Sequence, residues 1–123
     1  MNNKKVFKVI IAGGREFSDF DLLFSKCEKI LEKKNFVEIV SGCARGADKL
    51  GILYAKKKGF EFSKFPANWD MFGKKAGFMR NQQMADYADA LIAFWDGESR
   101  GTKDMIQRAK AKKIPVRIVK YKK

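Results

Sequence analysis

Apolar positions along the chain follow two periods, one suited to buried strands and the other to one-sided helices. Val6 to Ala12, VFKVIIA, is a near-continuous β-branched run of the kind a central parallel strand requires, and it breaks at Gly13-Gly14-Arg15. Ser18 or Asp19 can cap the helix that follows. In it Phe20, Leu23, Phe24, Cys27, Ile30 and Leu31 recur at i, i+3, i+4, i+7, i+10 and i+11, a single apolar stripe that takes Cys27 into the core. Phe36 to Val40 predicts a second strand, ending in Ser41-Gly42-Cys43-Ala44-Arg45-Gly46-Ala47-Asp48. A helix then runs to about Lys58, with Ala47, Leu50, Gly51 and Tyr54 on one face and Gly59 as its C-terminal stop.

Phe60 to Phe65 alternates more weakly and predicts a third strand near a sheet edge. Pro66 to Gly77 reads as the longest connection, a polar loop carrying Trp69, Asp70, Lys74 and Lys75. Arg80, Asn81 and Met84 fall on one helical segment, and Asp89 leads into the short buried strand Ala90 to Trp95. The loop Asp96 to Thr102 follows, then a helix from about Gly101 to Lys112 and a last strand, Val116 to Val119, introduced by Pro115. Five strand–helix alternations with short joins predict one α/β domain, Rossmann-like, with three layers and a mainly parallel sheet of about five strands. The pattern leaves strand order open. In the doubly wound order 3-2-1-4-5, a crevice opens where strands 1 and 4 diverge at their carboxyl ends, flanked by the loops at Gly13 and Asp96, with the loop at Ser41 beside them.

Composition narrows the function classes. The 123 residues allow one domain with a real core, and 46% hydrophobic content with eleven Phe argues against disorder. No apolar run approaches a membrane span, and the apolar stretch in MNNKKVFKVIIAGG is too short for a leader, so a cytoplasmic protein is expected. The two cysteines, Cys27 and Cys43, make no disulfide framework, and the absence of histidine argues against a metal site and excludes Ser-His and Cys-His catalysis. The formal charge of +13 favours anionic partners. Much of it lies in Lys4-Lys5, Lys33-Lys34, Lys56 to Lys58, Lys110 to Lys113 and Lys120 to Lys123, at helix ends and termini, where lysine also complements the helix dipole. Nucleic-acid binding is therefore a secondary expectation, because the lysines do not interleave with aromatics along one segment as a stacking groove would want.

The candidate chemistry is anion binding. A loop that closes a parallel strand and opens a helix aims backbone N–H groups and the positive helix end at one point, which suits a phosphate; Gly-Thr before a helix is equally ordinary capping. Neither GxGxxG nor GxxxxGK[ST] is present. GGREF, SGCARGAD, GKKAGFMRNQQM, ADALIAFWDG and SRGT, in this order, resemble the SLOG superfamily (Smf/DprA and LOG proteins), specifically its small YspA-like branch, from about Val6 to Val119. The resemblance implies a Rossmann-like domain for nucleotides or nucleotide-derived ligands. The superfamily includes nucleotide sensors, phosphoribohydrolases that release a base from a nucleoside monophosphate, and single-strand DNA binders. In the hydrolase branch an Arg ahead of the ADAxIAL strand and a Glu in GGxGTxxE serve catalysis. Arg80 matches the Arg and Gly101-Thr102 match the GT, but the Glu position is Met105, with the shorter Asp104 one residue off. Methionine can neither stabilise an oxocarbenium-like centre nor activate water, which argues against that hydrolysis. Asp70, Asp96 or Glu98 could substitute, and Arg80, Asp96 and Glu98 are the candidate catalytic groups.

Among single residues, Arg15 and Arg80 are the leading anion binders, since guanidinium matches phosphate in a bidentate way; a buried Arg can equally pair with Asp89 or Asp96. Arg45, between Gly42 and Gly46, and Lys74 and Asn81 are further ligand candidates beside Gly13, Gly14, Gly97 and Gly101. Ser41, Ser99 and Thr102 offer hydroxyls to phosphate or cap helices, and Asp96 or Glu98 could accept from ribose. Asp48 reads as a dipole complement in a first helical turn. Trp69 suits base stacking better than Trp95, and Met79, Met84 and Met105 read as packing residues. The expected ligand class is AMP, NAD, ADP-ribose or a cyclic nucleotide, bound for sensing or sequestration, and a homo-oligomer stays open.

Overall fold

A computed structural model describes residues 5–122. Of the features read above, residues 1–4, including Lys4, and Lys123 lie outside the described residues. Five strands, β1 (Phe7–Gly13), β2 (Val37–Ser41), β3 (Glu61–Lys64), β4 (Ala90–Trp95) and β5 (Val116–Lys120), form one sheet in the order β3-β2-β1-β4-β5. Every neighbouring pair is parallel, so the sheet is wholly parallel. The crossovers are α1 (Phe20–Leu31), α2 (Ala47–Lys58), α4 (Ala76–Tyr87) and α5 (Arg100–Ala111).

The near-continuous apolar strands follow from burial on both faces, and successive side chains serve opposite layers. Val9, Ile11, Ile39, Ile92 and Phe94 pack on Leu23 and Cys27 of α1 and Tyr54 of α2. Ile10, Ala12, Val40, Leu91 and Ala93 pack on Met84 and Ala85 of α4 and Met105, Ile106 and Ala109 of α5. Cys27 is fully buried, and burial, with Glu28 adding to it, pushes its thiol up to about 12. At the helix ends, Asp19 rather than Ser18 caps α1, accepting from Leu22 N at 3.0 Å, and Gly59 ends α2 in the left-handed region. The edge strands β3 and β5 are short and expose Glu61, Lys64, Arg117 and Lys120, which discourages edge-to-edge pairing. No described helix is long and apolar enough to cross a membrane.

Two expectations change. The segment read as a loop from Pro66 to Gly77 holds α3 (Trp69–Phe72), a 3-10 turn (Gly73–Lys75) and the start of α4. Asn68 Oδ1 caps α3 by accepting from Met71 N at 3.1 Å. A four-residue helix with no buried side chain has no apolar period to detect, and its local cap is the only signal. Met79 is 39% exposed on α4, whereas Met84 and Met105 are buried; only the latter two are packing residues.

Candidate ligand-binding crevice

The register pairs Gly13 with Phe94 at the carboxyl ends of β1 and β4. The chain leaves β1 toward α1 on one face and leaves β4 toward α5 on the other, so the two loops part and a crevice opens between them. Its volume is about 450 Å³, within the usual small-molecule range. Gly13, Gly14 and Arg15 line it from the end of β1 and the turn after it, Asp96, Glu98 and Ser99 from the β4–α5 turn, and Gly101 and Thr102 from the first turn of α5. Arg80 and Asn81 reach it from α4, and Trp69 and Lys74 from the α3 segment. Gly42 and Arg45 instead line a second cavity beside it. Ser41, Gly46 and Gly97 line neither.

Local chemistry explains these placements. Asp96 Oδ1 accepts from Glu98 N at 2.8 Å and Ser99 N at 2.9 Å, which folds the loop back on itself. Ser99 then caps α5, its Oγ facing Thr102 N at 3.5 Å and Thr102 Oγ1 at 3.1 Å. The capping role of these hydroxyls is therefore filled, while the first turn of α5 still fronts the crevice with the positive end of its dipole. Ser41 is fully buried; its Oγ donates to Asp48 O at 2.9 Å and accepts from Cys43 N at 3.1 Å, so it organises the loop from within. Gly46 sits where the second loop meets the first. Ala47 N donates to Gly14 O at 3.2 Å, and a Cβ on Gly46 would lie 2.2 Å from that same oxygen.

Arg80 Nη1 donates to Gly42 O and its Nε to Asn81 Oδ1 at 3.0 Å, which aims a half-buried guanidinium along the crevice wall. Asp89, one partner considered from sequence, accepts from Lys8 N at 2.9 Å at the opposite end of the strand. Burial pushes the ionisation of Arg80 down from its ordinary range, and the charge of Asp48 opposes that. Asn81 Nδ2 donates to Gly101 O at 3.3 Å and Asp104 Oδ2 at 3.0 Å, tying α4 to the start of α5. Arg45 pairs with Glu16 at 3.0 Å, but with both side chains about two-thirds exposed the pair contributes about 0–1 kcal/mol.

A model of the YspA, cpYpsA-related SLOG family (YAcAr) matches residues 7–72, more than half of the chain. The chain belongs to this family. It is also similar to the Gene 61 protein of Mycobacterium phage D29, 33% identical over 116 residues, which cover 89% of this chain and 93% of that protein. Among solved structures it is similar to DNA processing protein A (DprA) from Streptococcus pneumoniae, with a TM-score of 0.72 and 21% identity, over 92% of this chain. The chain spans about half the length of that structure, and the likeness concerns the fold.

In this SLOG domain the position that the hydrolase branch fills with Glu is a fully buried methionine on the crevice wall, Met105. Asp104 lines neither cavity, and its Oδ2 accepts from Asn81 Nδ2 and, at 2.8 Å, from Arg108 Nε. Asp70 lies on the exposed α3 and lines neither cavity.

The carboxylate that sequence reasoning missed is Asp48. It is 6% exposed, lines the crevice, and accepts from Ala44 N at 3.2 Å. A dipole complement on a surface turn would be solvated; this one lies under the loop that Ser41 holds closed. The one signal was its place as the last residue of SGCARGAD, where a buried Ser41 fixes the turn preceding α2. Tyr121 also lines the crevice, its ring T-shaped on Phe17 at 4.8 Å, and gave no sequence signal inside a lysine-rich tail.

Burial raises the carboxyl of Asp48 from an ordinary 3.8 to about 6, against the opposing pull of Arg80 and the Ala44 and Gly13 N–H groups. A carboxyl whose folded value is raised favours folding most below about pH 4, and that contribution is lost as pH rises through about 6. At neutral pH the loss is on the order of 3 kcal/mol. Asp48→Asn is therefore expected to gain stability at pH 8 and little or nothing at pH 4, measured by urea unfolding at both. An equal effect at the two pH values would show that the buried charge carries no such penalty.

Proposed function

We propose that this chain binds a nucleotide or nucleotide-derived small molecule in the crevice, as a sensing or sequestering module. The observation that carries the reading is the convergence of Arg15, the half-buried Arg80 and the first turn of α5 on one cavity of about 450 Å³. Two guanidiniums and a helix N-terminus concentrate donors and positive charge where a phosphate would sit. Trp69, about half exposed at the rim, offers a face to a base, and Arg15 lies 5.9 Å from its ring centroid. Membership in a SLOG family and the DprA-like fold support a nucleotide or nucleic-acid ligand and no narrower class. With Met105 buried and Asp104 engaged, nothing on α5 supplies the hydrolytic acid, so release of free base from nucleoside monophosphates should be negligible.

The test is native mass spectrometry of gently purified protein, followed by thermal shifts with AMP, NAD, ADP-ribose and cyclic nucleotides. A ligand at a hundredfold its Kd should add about 2.7 kcal/mol to stability. Absence of any shift with every phosphate-bearing nucleotide would count decisively against this reading. Base release abolished by Asp96→Asn or Glu98→Gln would make the domain an enzyme and name its acid.

One observation favours a second reading, a single-stranded nucleic-acid binder. The α3–α4 segment exposes Trp69, Phe72 and Phe78 around the adjacent Lys74 and Lys75. Bases could stack there while phosphates meet the lysines, with affinity falling steeply as salt rises. Oligonucleotide binding that survives physiological salt and is lost in Phe72→Ala and Phe78→Ala would favour this second reading over the first.

A further inference from the structure

The second cavity, about 360 Å³, lies against the crevice, and Arg15, Ala44, Trp69 and Arg80 line both. Its lining includes three arginines, Arg15, Arg45 and Arg80, and no carboxylate. Arg15 and Arg80 belong to the part shared with the crevice, and Arg45 to the side cavity alone, where Gly42, Cys43, Pro66 and Ala67 add no charged side chain. That volume is far more than a lone phosphate needs and falls in the range of small-molecule sites. An anionic group held at the join by Arg15 and Arg80 would have one compartment on either side of it, each with room for an uncharged ring system.

We propose that the crevice and this side cavity are two halves of one bipartite site, whose ligand class is two nucleosides joined through phosphate, with the phosphates at the Arg15–Arg80 join. The inference rests on the proposed nucleotide reading of the crevice and specifies its ligand. A mononucleotide would fill the crevice alone and leave the second compartment empty, with Arg45 engaged only by its exposed pair with Glu16.

The experiment compares AMP, ADP and diadenosine diphosphate by isothermal titration, on the wild-type chain and on Ala67→Trp, which places a large ring in the side cavity. ADP carries the same diphosphate without the second nucleoside, so it separates charge from occupancy. The expected result is that diadenosine diphosphate binds at least tenfold tighter than AMP or ADP. In Ala67→Trp that advantage should vanish while AMP affinity is unchanged, which also shows that the variant is folded. Arg45→Ala should weaken diadenosine diphosphate severalfold. Equal affinity for ADP and diadenosine diphosphate would overturn the inference and leave the nucleotide reading standing, as would an advantage that persists in Ala67→Trp. Failure of all three probes to bind the wild-type chain would overturn the inference, and the nucleotide reading falls with it only if NAD, ADP-ribose and cyclic nucleotides also give no thermal shift.

Discussion

Gly46→Ala is expected to lose about 3–5 kcal/mol of stability, a large part of what a domain of this size holds. Gly46 has φ +84° and ψ −133°, a backbone conformation that side-chain-bearing residues rarely adopt. The conformational term alone is about 1–2 kcal/mol. The larger part is steric, since the new Cβ would lie 2.2 Å from Gly14 O and 2.7 Å from Arg15 C and O. Those are backbone atoms of the first crevice loop, so relief requires pulling the two loops apart and breaking the Ala47 N to Gly14 O bond. Gly59 is the internal control: its φ is +73°, but an added Cβ meets nothing within 4 Å, so Gly59→Ala should cost only about 1 kcal/mol. Urea unfolding of both variants decides the matter. Equal losses would mean that the contact between the two loops is not a tight one. A folded Gly46→Ala protein should also bind nucleotide more weakly, because Arg15 follows the displaced turn.

The second large effect concerns binding. Arg80→Ala should lower affinity for any phosphate-bearing ligand by more than the 1.5–3 kcal/mol typical of one charge-assisted hydrogen bond, about tenfold to over a hundredfold. Arg80→Lys should not restore it. Lysine lacks the planar fork by which Arg80 is anchored on both Gly42 O and Asn81 Oδ1 while lining the crevice. The same change carries an internal check. The Arg80 guanidinium pulls the Asp48 carboxyl down, so its removal should move the Asp48 titration further upward and extend the stability loss to higher pH. Unchanged nucleotide affinity in a folded Arg80→Ala protein would make Arg80 structural, and the site would then centre on Arg15.

Strand and helix placement was readable from sequence because it depends on local period. Strands covered on both faces must be apolar at every position, and helices covered on one face show a stripe, so Val9 to Ala12 and Leu23 to Leu31 declared themselves. The glycine loops, Arg15 and Arg80 were legible for the same reason: each stands at a strand end or on a helix beside one. The α3 helix was not, since four exposed residues have no periodicity and Asn68 is its only marker. Tertiary structure alone decided which polar groups are buried and which partners they meet. Asp48 in sequence is an acid in a first helical turn; only the closure of the 41–46 loop over it removes its water and raises its carboxyl. Asp104 in sequence is a near miss for a catalytic acid; Arg108, one turn on in the same helix, already engages it, and only the approach of α4 to α5 adds Asn81 to the same oxygen. The second cavity, too, exists only because residues far apart in the chain, from Arg15 to Arg80, close around one space. Period is a property of neighbours along the chain, whereas desolvation, hydrogen-bond partnership and enclosed volume are properties of neighbours in space.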